Sequence, residues 1–363
     1  MPQKGKKLLM AAGGTGGHMF PAQALAEILK AEGWEIALMT DARGRKHATR
    51  IPADPIIDVK AASISPRKPI AAVKGIVSLT QGVMQARRFI RQWKPDIVVG
   101  FGGYPAFPAM RAAQRMGVPT LIHEQNAFLG RVNRVFAKRA LCVASGFEDL
   151  QKLPEEAVHR AIGNPLRKQI TKAVPKSYEP PTDRTNLLIV GGSLGARIIS
   201  EVMPKAISGL PQSLREKLHV TQQTLPDYQD TARAVYEDAG VSATCETFFS
   251  DIETHLAQAH YIIGRAGAGS VSEIAVMGKP SLLVPLAIAM DDHQTANAKS
   301  LQRLGAADIL PESEFTPELV KTILEERLSD STWLKTAADA ARSAGKPHAA
   351  TDLAAMVSAF ADQ

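Results

Sequence analysis

The chain reads as an α/β protein made of two doubly wound parallel-sheet domains, and three observations lead there. Short apolar runs alternate with helical stretches along both halves of the 363 residues, the pattern of parallel strands joined by crossover helices. The pattern breaks after Gly163-Asn164-Pro165, across a stretch with Pro175, Pro180 and Pro181 and few apolar residues, and restarts near residue 183. Each half opens on a strand that runs into glycines, 178 residues apart: Leu8–Ala12 into Gly13-Gly14-Thr15-Gly16-Gly17-His18, and Leu187–Val190 into Gly191-Gly192-Ser193-Leu194-Gly195-Ala196. Domains are expected at 1–165 and 183–345, joined by a linker at 166–182.

In the first half, strands are expected near Leu8–Ala12, Glu35–Thr40, Ile56–Val59, Asp96–Phe101, Thr120–His123 and Leu141–Ala144. Pro21 suits the first position of a helix reaching about Glu32, where its missing N–H costs nothing. A long helix is expected over Ala71–Trp93, stopped by Pro95. In the second half, strands are expected near Asn186–Val190, His219–Gln222, Ala243–Phe248, Tyr261–Gly264, Ser281–Val284 and Ala307–Leu310. Helices at about Thr316–Leu328, Ser331–Ala344 and Ala349–Phe360 complete the chain.

Composition narrows the class. An apolar fraction of 45% and a charged fraction of 22% are those of an ordinary globular protein, and the length exceeds one typical core. Cys142 and Cys245 are far apart and lack metal or redox spacing, so both read as buried reduced thiols of a cytosolic protein. No segment approaches the roughly 20 apolar residues of a membrane span. Lys4, Lys6 and Lys7 precede an apolar run too short for a signal peptide, which reads better as a first core strand. Charge is uneven: the first 165 residues carry +12 and the rest −5. A basic half of this kind fits an anionic surface: nucleic acid, an acidic membrane or a phosphorylated lipid.

The glycine turns fit close approach of backbone N–H groups to phosphate, with the following helix N-terminus adding positive charge. Neither has the Gly-x-Gly-x-x-Gly spacing of a dinucleotide site, although Asp41, ending the second strand, resembles the acidic residue that holds an NAD ribose. His18, directly after the first turn, reads either as a capping or packing residue or as a general base whose neutral form the helix N-terminus favours. In Gly264-Arg265-Ala266-Gly267-Ala268-Gly269-Ser270-Val271-Ser272-Glu273, Ser270 can cap a helix. Glu273 reads either as a favourable charge in its first turns or as a carboxylate for a vicinal diol such as ribose. His293, Gln294 and Asn297 would share a helix face, reading a sugar's hydroxyls or forming a polar surface behind an Asp cap. His123-Glu124-Gln125-Asn126 and Gly102-Gly103-Tyr104-Pro105 end two strands in polar or glycine residues, as loops facing a cleft would. No Asp-x-Asp triplet offers a metal–diphosphate anchor, leaving backbone amides and helix dipoles to stabilise a departing diphosphate.

In this order, the motifs Gly13–His18, Gly102–Tyr104, His123–Asn126, Gly163–Arg167, Gly191–Ala196, Arg265–Glu273 and His293–Asn297 resemble the MurG family of bacterial peptidoglycan glycosyltransferases. The resemblance implies a GT-B fold, two Rossmann-like domains facing a cleft, with the last helix, about 346–363, packing back on the first domain. It implies inverting transfer of N-acetylglucosamine (GlcNAc) from UDP-GlcNAc to the muramyl 4-hydroxyl of lipid I, making lipid II. His18 would be the general-base candidate. Donor binding would fall to Thr15, Asn126, Arg167, Ser193, Phe249 (uracil), Ala268, Ser270, Glu273 (ribose), Gln294 and Asn297, with Thr15 and Asn126 reaching in from the acceptor side. Gly13, Gly14, Gly16, Gly17, Tyr104 and Glu124 would lie on the acceptor side. Leu194, His293 and Gly269-Ser270 depart from common family versions, which bears on individual sugar and diphosphate contacts.

The same resemblance implies no tightly bound cofactor or metal, with a free divalent cation as an optional aid, and no nucleic-acid partner. It makes the basic half a peripheral attachment to the anionic cytoplasmic face of the cell membrane. Arg67, Lys68, Ile70, Val73, Lys74, Ile76, Val77, Arg134 and Lys138 would form the patch, against the alternative of a core helix with a solvated basic face. Other GT-B enzymes, namely a glycolipid synthase or a UDP-GlcNAc 2-epimerase, and a non-catalytic nucleotide-sugar-binding membrane protein are the alternatives.

Overall fold

A computed structural model describes residues 5–14, 16–61, 69–192, 195–286 and 292–362, the side chains of 69–74 lying outside the description. The chain divides into two compact units, Met1–Arg167 with Pro347–Gln363, and Lys168–Lys346.

The first unit holds seven strands: β1 (Lys7–Ala11), β2 (Glu35–Thr40), β3 (Ile56–Asp58), β4 (Ile97–Gly100), β5 (Thr120–Glu124), β6 (Cys142–Ser145) and β7 (His159–Ala161). They pair in parallel in the order β3-β2-β1-β4-β5-β6-β7. The strand period of two splits β1 between the layers. Leu8 and Met10 face Leu25 and Leu29 with Leu353 and Val357 of the helix Ala349–Ala361; Leu9 and Ala11 face Ala86, Ile90 and Met110. The final helix is thus part of the first unit's core, and each fully buried leucine there contributes about 2 kcal/mol of apolar transfer.

The second unit holds β8 (Thr185–Val190), β9 (Leu218–Gln223), β10 (Ser242–Glu246), β11 (Tyr261–Gly264), β12 (Ser281–Leu283) and β13 (Ala307–Ile309). Their order is β10-β9-β8-β11-β12-β13, again parallel. In each unit the order reverses beside the first strand, between β1 and β4 and between β8 and β11. The loops that leave those strand ends are where ligands gather in such sheets.

Three expectations change. The first helix, Gly16–Ala31, starts immediately after the glycine turn, and Pro21 lies inside it. Lacking an N–H, Pro21 sends no helical hydrogen bond to the Gly17 carbonyl. The segment 166–182 is folded: Lys168–Lys172 is helical with Ile170 buried, and Tyr178 belongs to the second core. The edge strand β7 has no counterpart among the expected strands, because His159-Arg160-Ala161 carries no apolar alternation. The long helix spans Pro69–Trp93 and ends at Lys94, whose φ of 55° leaves the helical region ahead of Pro95.

Candidate functional site

The first glycine turn is fastened from below. Asp41, the N-cap of the helix Ala42–Ala48, accepts the N–H groups of Gly14 and Gly44 on one oxygen, each at 2.9 Å. Burial raises the pKa of this carboxyl, but the Gly44 and Gly14 donors and Arg43 outweigh it and hold it below the usual carboxylate range. Asp41 therefore buttresses the turn, and the resemblance to a ribose-holding acid ends at its sequence position. The Gly14 N–H, expected to serve the acceptor, is already given to Asp41. Gly13 has no room for a Cβ, which would lie 2.6 Å from Pro105 Cγ and 2.8 Å from Asp41 Oδ1.

His18 is half-buried in the first turn of its helix, and its Nδ1 lies 3.0 Å from the Gly13 carbonyl oxygen. A carbonyl only accepts, so Nδ1 carries the proton and Nε2 is the basic nitrogen of the neutral ring. The ring packs over the loop after β4. A Cβ built on Gly102 would stand 3.5 Å from His18 Nε2 and 3.1 Å from Asn133 Nδ2, and one on Gly103 would stand 3.5 Å from His18 Cε1. Both glycines have left-handed φ values, 89° and 73°. Gly16 is buried, with Phe20 against it, and Gly17 is exposed; Tyr104 is half-buried against the adjoining core. Thr15 lies outside the described residues.

The polar run ending β5 turns inward. His123, Glu124 and Gln125 are buried, and Glu124, expected on the acceptor side, fills both oxygens with scaffold donors. Its Oε1 accepts from Asn126 N and Nδ2 at 3.1 and 3.3 Å, and its Oε2 from Gly130 N and Asn133 Nδ2 at 2.9 and 2.8 Å. His123 Nε2 donates to the Gly163 carbonyl, and Asn164 Nδ2 donates to the Gln125 carbonyl. Complete burial pushes the His123 pKa down to about 4, against the weaker opposing effect of Gly163. Arg167, assigned to the donor, lies in the first unit with its guanidinium 4.9 Å from the Phe20 ring centre.

In the second unit the Gly191 N–H donates to Gln223 Oε1 at 3.2 Å, and the Gly195 N–H to the Gly192 carbonyl. The helix Arg197–Ser208 follows. Ser193 and Leu194 lie outside the described residues. The helix Ala268–Met277 begins after Gly267, so Ser270 is its third residue and no side chain caps it. Ala268 is buried, Ser270 and Glu273 are half-buried, and a Cβ on Gly269 would meet open space. Arg265 points into the protein: it is 8% exposed, pairs with Glu312 at 3.1 Å and donates to the Val284 carbonyl.

Asn297, expected to read sugar hydroxyls, is fully buried and gives its Nδ2 to the Ala266 carbonyl; Gln294 Oε1 accepts the Leu286 N–H. These contacts position the loops after β11 and β12. Asp292 precedes that helix with a left-handed φ of 51° and makes no side-chain cap, so the alternative of a polar surface behind an Asp cap finds no cap at Asp292. Phe249, expected at the uracil, is 8% exposed and edge-on to His255, whereas Phe248 is 72% exposed. Sequence reasoning passed over Phe248, Asn133 and Glu312, and missed the buttressing role of Asp41. Only Asp41 had a local signal for its role, as an Asx residue three before the Gly44 N–H it caps.

On the helix Pro69–Trp93, Leu79, Ala86 and Ile90 are buried, while Ile76, Val77 and Met84 are 53%, 51% and 60% exposed. Val135 is exposed too; Arg134 stacks over Phe128 and Lys138 pairs with Glu156 at 2.8 Å. Arg67 and Lys68, and the side chains of Ile70, Val73 and Lys74, lie outside the described residues. Among the described residues no helix is long and apolar enough to cross a membrane, and no group of three or more His, Cys, Asp or Glu residues could hold a metal ion.

Known proteins match over both halves. Residues 8–145 match the glycosyltransferase family 28 N-terminal domain, and residues 186–353 the family 28 C-terminal domain. The UDP-N-acetylglucosamine–N-acetylmuramyl-(pentapeptide) pyrophosphoryl-undecaprenol N-acetylglucosamine transferase of Maricaulis maris is 50% identical over 357 residues, 97% of each chain. The same-named protein of Caulobacter vibrioides (strain NA1000 / CB15N) is 44% identical, covering 97% of this chain and 98% of its own. The crystal structure of Acinetobacter baumannii MurG superposes with a TM-score of 0.80 at 32% identity, over 97% of this chain and 99% of that one. A UDP-N-acetylglucosamine 2-epimerase structure, at a TM-score of 0.64 and 15% identity over 96% of this chain and 95% of its own, shares the fold alone. The paired sheets are those of the GT-B fold, and the chain belongs to glycosyltransferase family 28, among the MurG transferases.

Proposed function

We propose that the chain is an inverting N-acetylglucosaminyltransferase that moves GlcNAc from UDP-GlcNAc to the 4-hydroxyl of the muramyl sugar of lipid I. The observation that carries this reading is His18, whose Nδ1–H is tied to the Gly13 carbonyl so that Nε2 is the basic nitrogen. In the reaction the muramyl hydroxyl oxygen bonds to the anomeric carbon as the bond from that carbon to the diphosphate breaks. The hydroxyl proton passes to His18 Nε2, and UDP leaves with the electron pair. A single displacement inverts the anomeric configuration, giving the β-linked disaccharide of lipid II.

The second unit supplies the donor site. N-terminal N–H groups of Arg197–Ser208 and Ala268–Met277 are the preorganised donors for the diphosphate. Glu273, half-buried in the second turn of its helix, takes the ribose hydroxyls, and the backbone at Phe249 takes the uracil, with Phe248 the exposed aromatic beside it. Gln294 holds the loop that receives the sugar, and Asn297 fixes the turn at Ala266. The reading invokes no tightly bound cofactor. The exposed stripe of Ile76, Val77 and Met84, with neighbouring cations, attaches the enzyme peripherally to the anionic cytoplasmic face of the cell membrane.

The test incubates the protein with UDP-GlcNAc and a lipid I analogue, with and without a divalent salt. Disaccharide product supports the transferase; conversion of UDP-GlcNAc without acceptor identifies an epimerase and overturns it. His18→Ala is expected to lower kcat by about 10²–10⁴ with the KM for UDP-GlcNAc unchanged. A full rate in that variant removes His18 as base. Co-sedimentation with anionic vesicles at low salt, lost at high salt, tests the attachment.

A further inference from the structure

Gly13 and Gly14 share one peptide unit, and it is held at both edges. Its N–H donates to Asp41 Oδ1 at 2.9 Å, and its carbonyl accepts from His18 Nδ1 at 3.0 Å. A trans peptide is planar, with N–H and C=O pointing oppositely, so carboxylate, peptide and imidazole lie along one hydrogen-bonded line. An amide that donates to a carboxylate is polarised, which makes its carbonyl a stronger acceptor. The geometry points to Asp41 as a positioning residue for the transfer: through the Gly13–Gly14 peptide it holds His18 in the Nδ1–H tautomer and strengthens Nε2 as a proton acceptor. This inference deepens the proposed function and rests on His18 being its base.

Asp41 is suited to the task because the Gly44 and Gly14 donors, with Arg43 at 3.3 Å on its other oxygen, keep it ionised despite its burial. Its side chain is only 15% exposed, so solvent screens the line little. Several charged or titratable groups of the neighbouring elements have contacts of their own. Glu124 lies beyond Asn133, Tyr104 is in the β4 loop, and Arg167 and His47 pack on Phe20. The Glu124 oxygens are directed to Asn126, Gly130 and Asn133, away from the Gly13–Gly14 peptide.

Asp41 also caps a helix, so the test must separate charge from capping. Asp41→Asn keeps an oxygen for both N–H groups and removes the charge; Asp41→Ser, another good N-cap residue, is the second variant if the first unfolds. In the absence of substrates, ¹⁵N NMR of histidine-labelled protein is expected to show the Nδ1–H tautomer in the parent protein. In the variants the His18 titration midpoint should move to lower pH and the tautomer preference weaken. Transfer should lose about ten-fold in kcat, a fraction of the usual general-base contribution, with unchanged KM for UDP-GlcNAc and the acid limb of kcat/KM moved to lower pH. Identical His18 titration and tautomer in folded Asp41→Asn overturn the relay. If His18→Ala keeps its activity while the NMR shifts appear, the base reading falls and the relay stands.

Discussion

The two glycine turns begin alike and differ in what lies beneath them. Below the first, at the end of β2, Asp41 takes the Gly14 N–H; below the second, at the end of β9, Gln223 takes the Gly191 N–H. β2 neighbours β1 as β9 neighbours β8, so in both copies of the topology the acceptor comes from the strand beside the turn. Asp41 lies two residues past Met39, the partner of Ala11, and Gln223 one past Gln222, the partner of Ile189, so the two side chains fill adjacent rather than identical positions. A carboxylate there consumes an amide donor and adds negative charge that disfavours an incoming phosphate and favours a protonating imidazole. A neutral amide satisfies the donor and leaves the positive field of the following helix intact. One fold thus supports a base in one unit and an anion in the other by placing a charged acceptor beneath one turn and a neutral one beneath the other. The β5 and β12 ends differ in the same spirit: Glu124 gathers the loops after β5, whereas Arg265 anchors the apolar Val284-Pro285 after β12.

The sharpest way to break this comparison is to crowd the first turn. Gly13→Ala drives a methyl into Pro105 and Asp41 at 2.6 and 2.8 Å. It should remove transfer almost entirely and cost about 1–3 kcal/mol of stability, read by product assay and denaturant melts. Next, Gln223→Glu puts a carboxylate beneath the second turn, as Asp41 is beneath the first. At an effective dielectric of about 20 the added charge should weaken donor binding by on the order of 2 kcal/mol, about 30-fold in KM for UDP-GlcNAc. Gln223→Ala, which removes the hydrogen bonds without adding charge, should shift KM much less. An equal effect of both would deny the charge argument.

The smallest effect belongs to His123. Its pKa falls from 6.5 to about 4 because burial disfavours the charged ring. A depressed folded-state pKa means that the unfolded chain binds the extra proton first. The stability it contributes is complete above about pH 6.5 and is lost as pH falls towards about 4. Denaturant melts across that window should show the slope, and His123→Gln should flatten it.

Much of this was legible along the chain because strands in a doubly wound sheet are buried on both faces and read as apolar runs. β2 and β11 match their expected limits, whereas β7, an edge strand of His159-Arg160-Ala161, left no such trace. The position of His18 beside the first turn was also readable, since turn and helix start are neighbours in sequence. Its hydrogen bond to Gly13 spans only five residues. The polar site residues were readable as residues but not in direction: Glu124 at the end of β5 and Asn297 in its helix looked outward-facing and are buried, because their partners Asn133 and Ala266 are supplied by other elements.

By itself, then, the sequence determined the two α/β units, the glycine turns and the family, since hydrophobic period and local motif order are one-dimensional properties. Tertiary structure alone decided which polar groups face one another. It set Asp41 under a turn 27 residues away and Arg265 on Glu312 across 47 residues. Such pairings depend on which strands become neighbours. Hydrogen bonds and charges act over a few ångströms in space, whatever their separation along the chain.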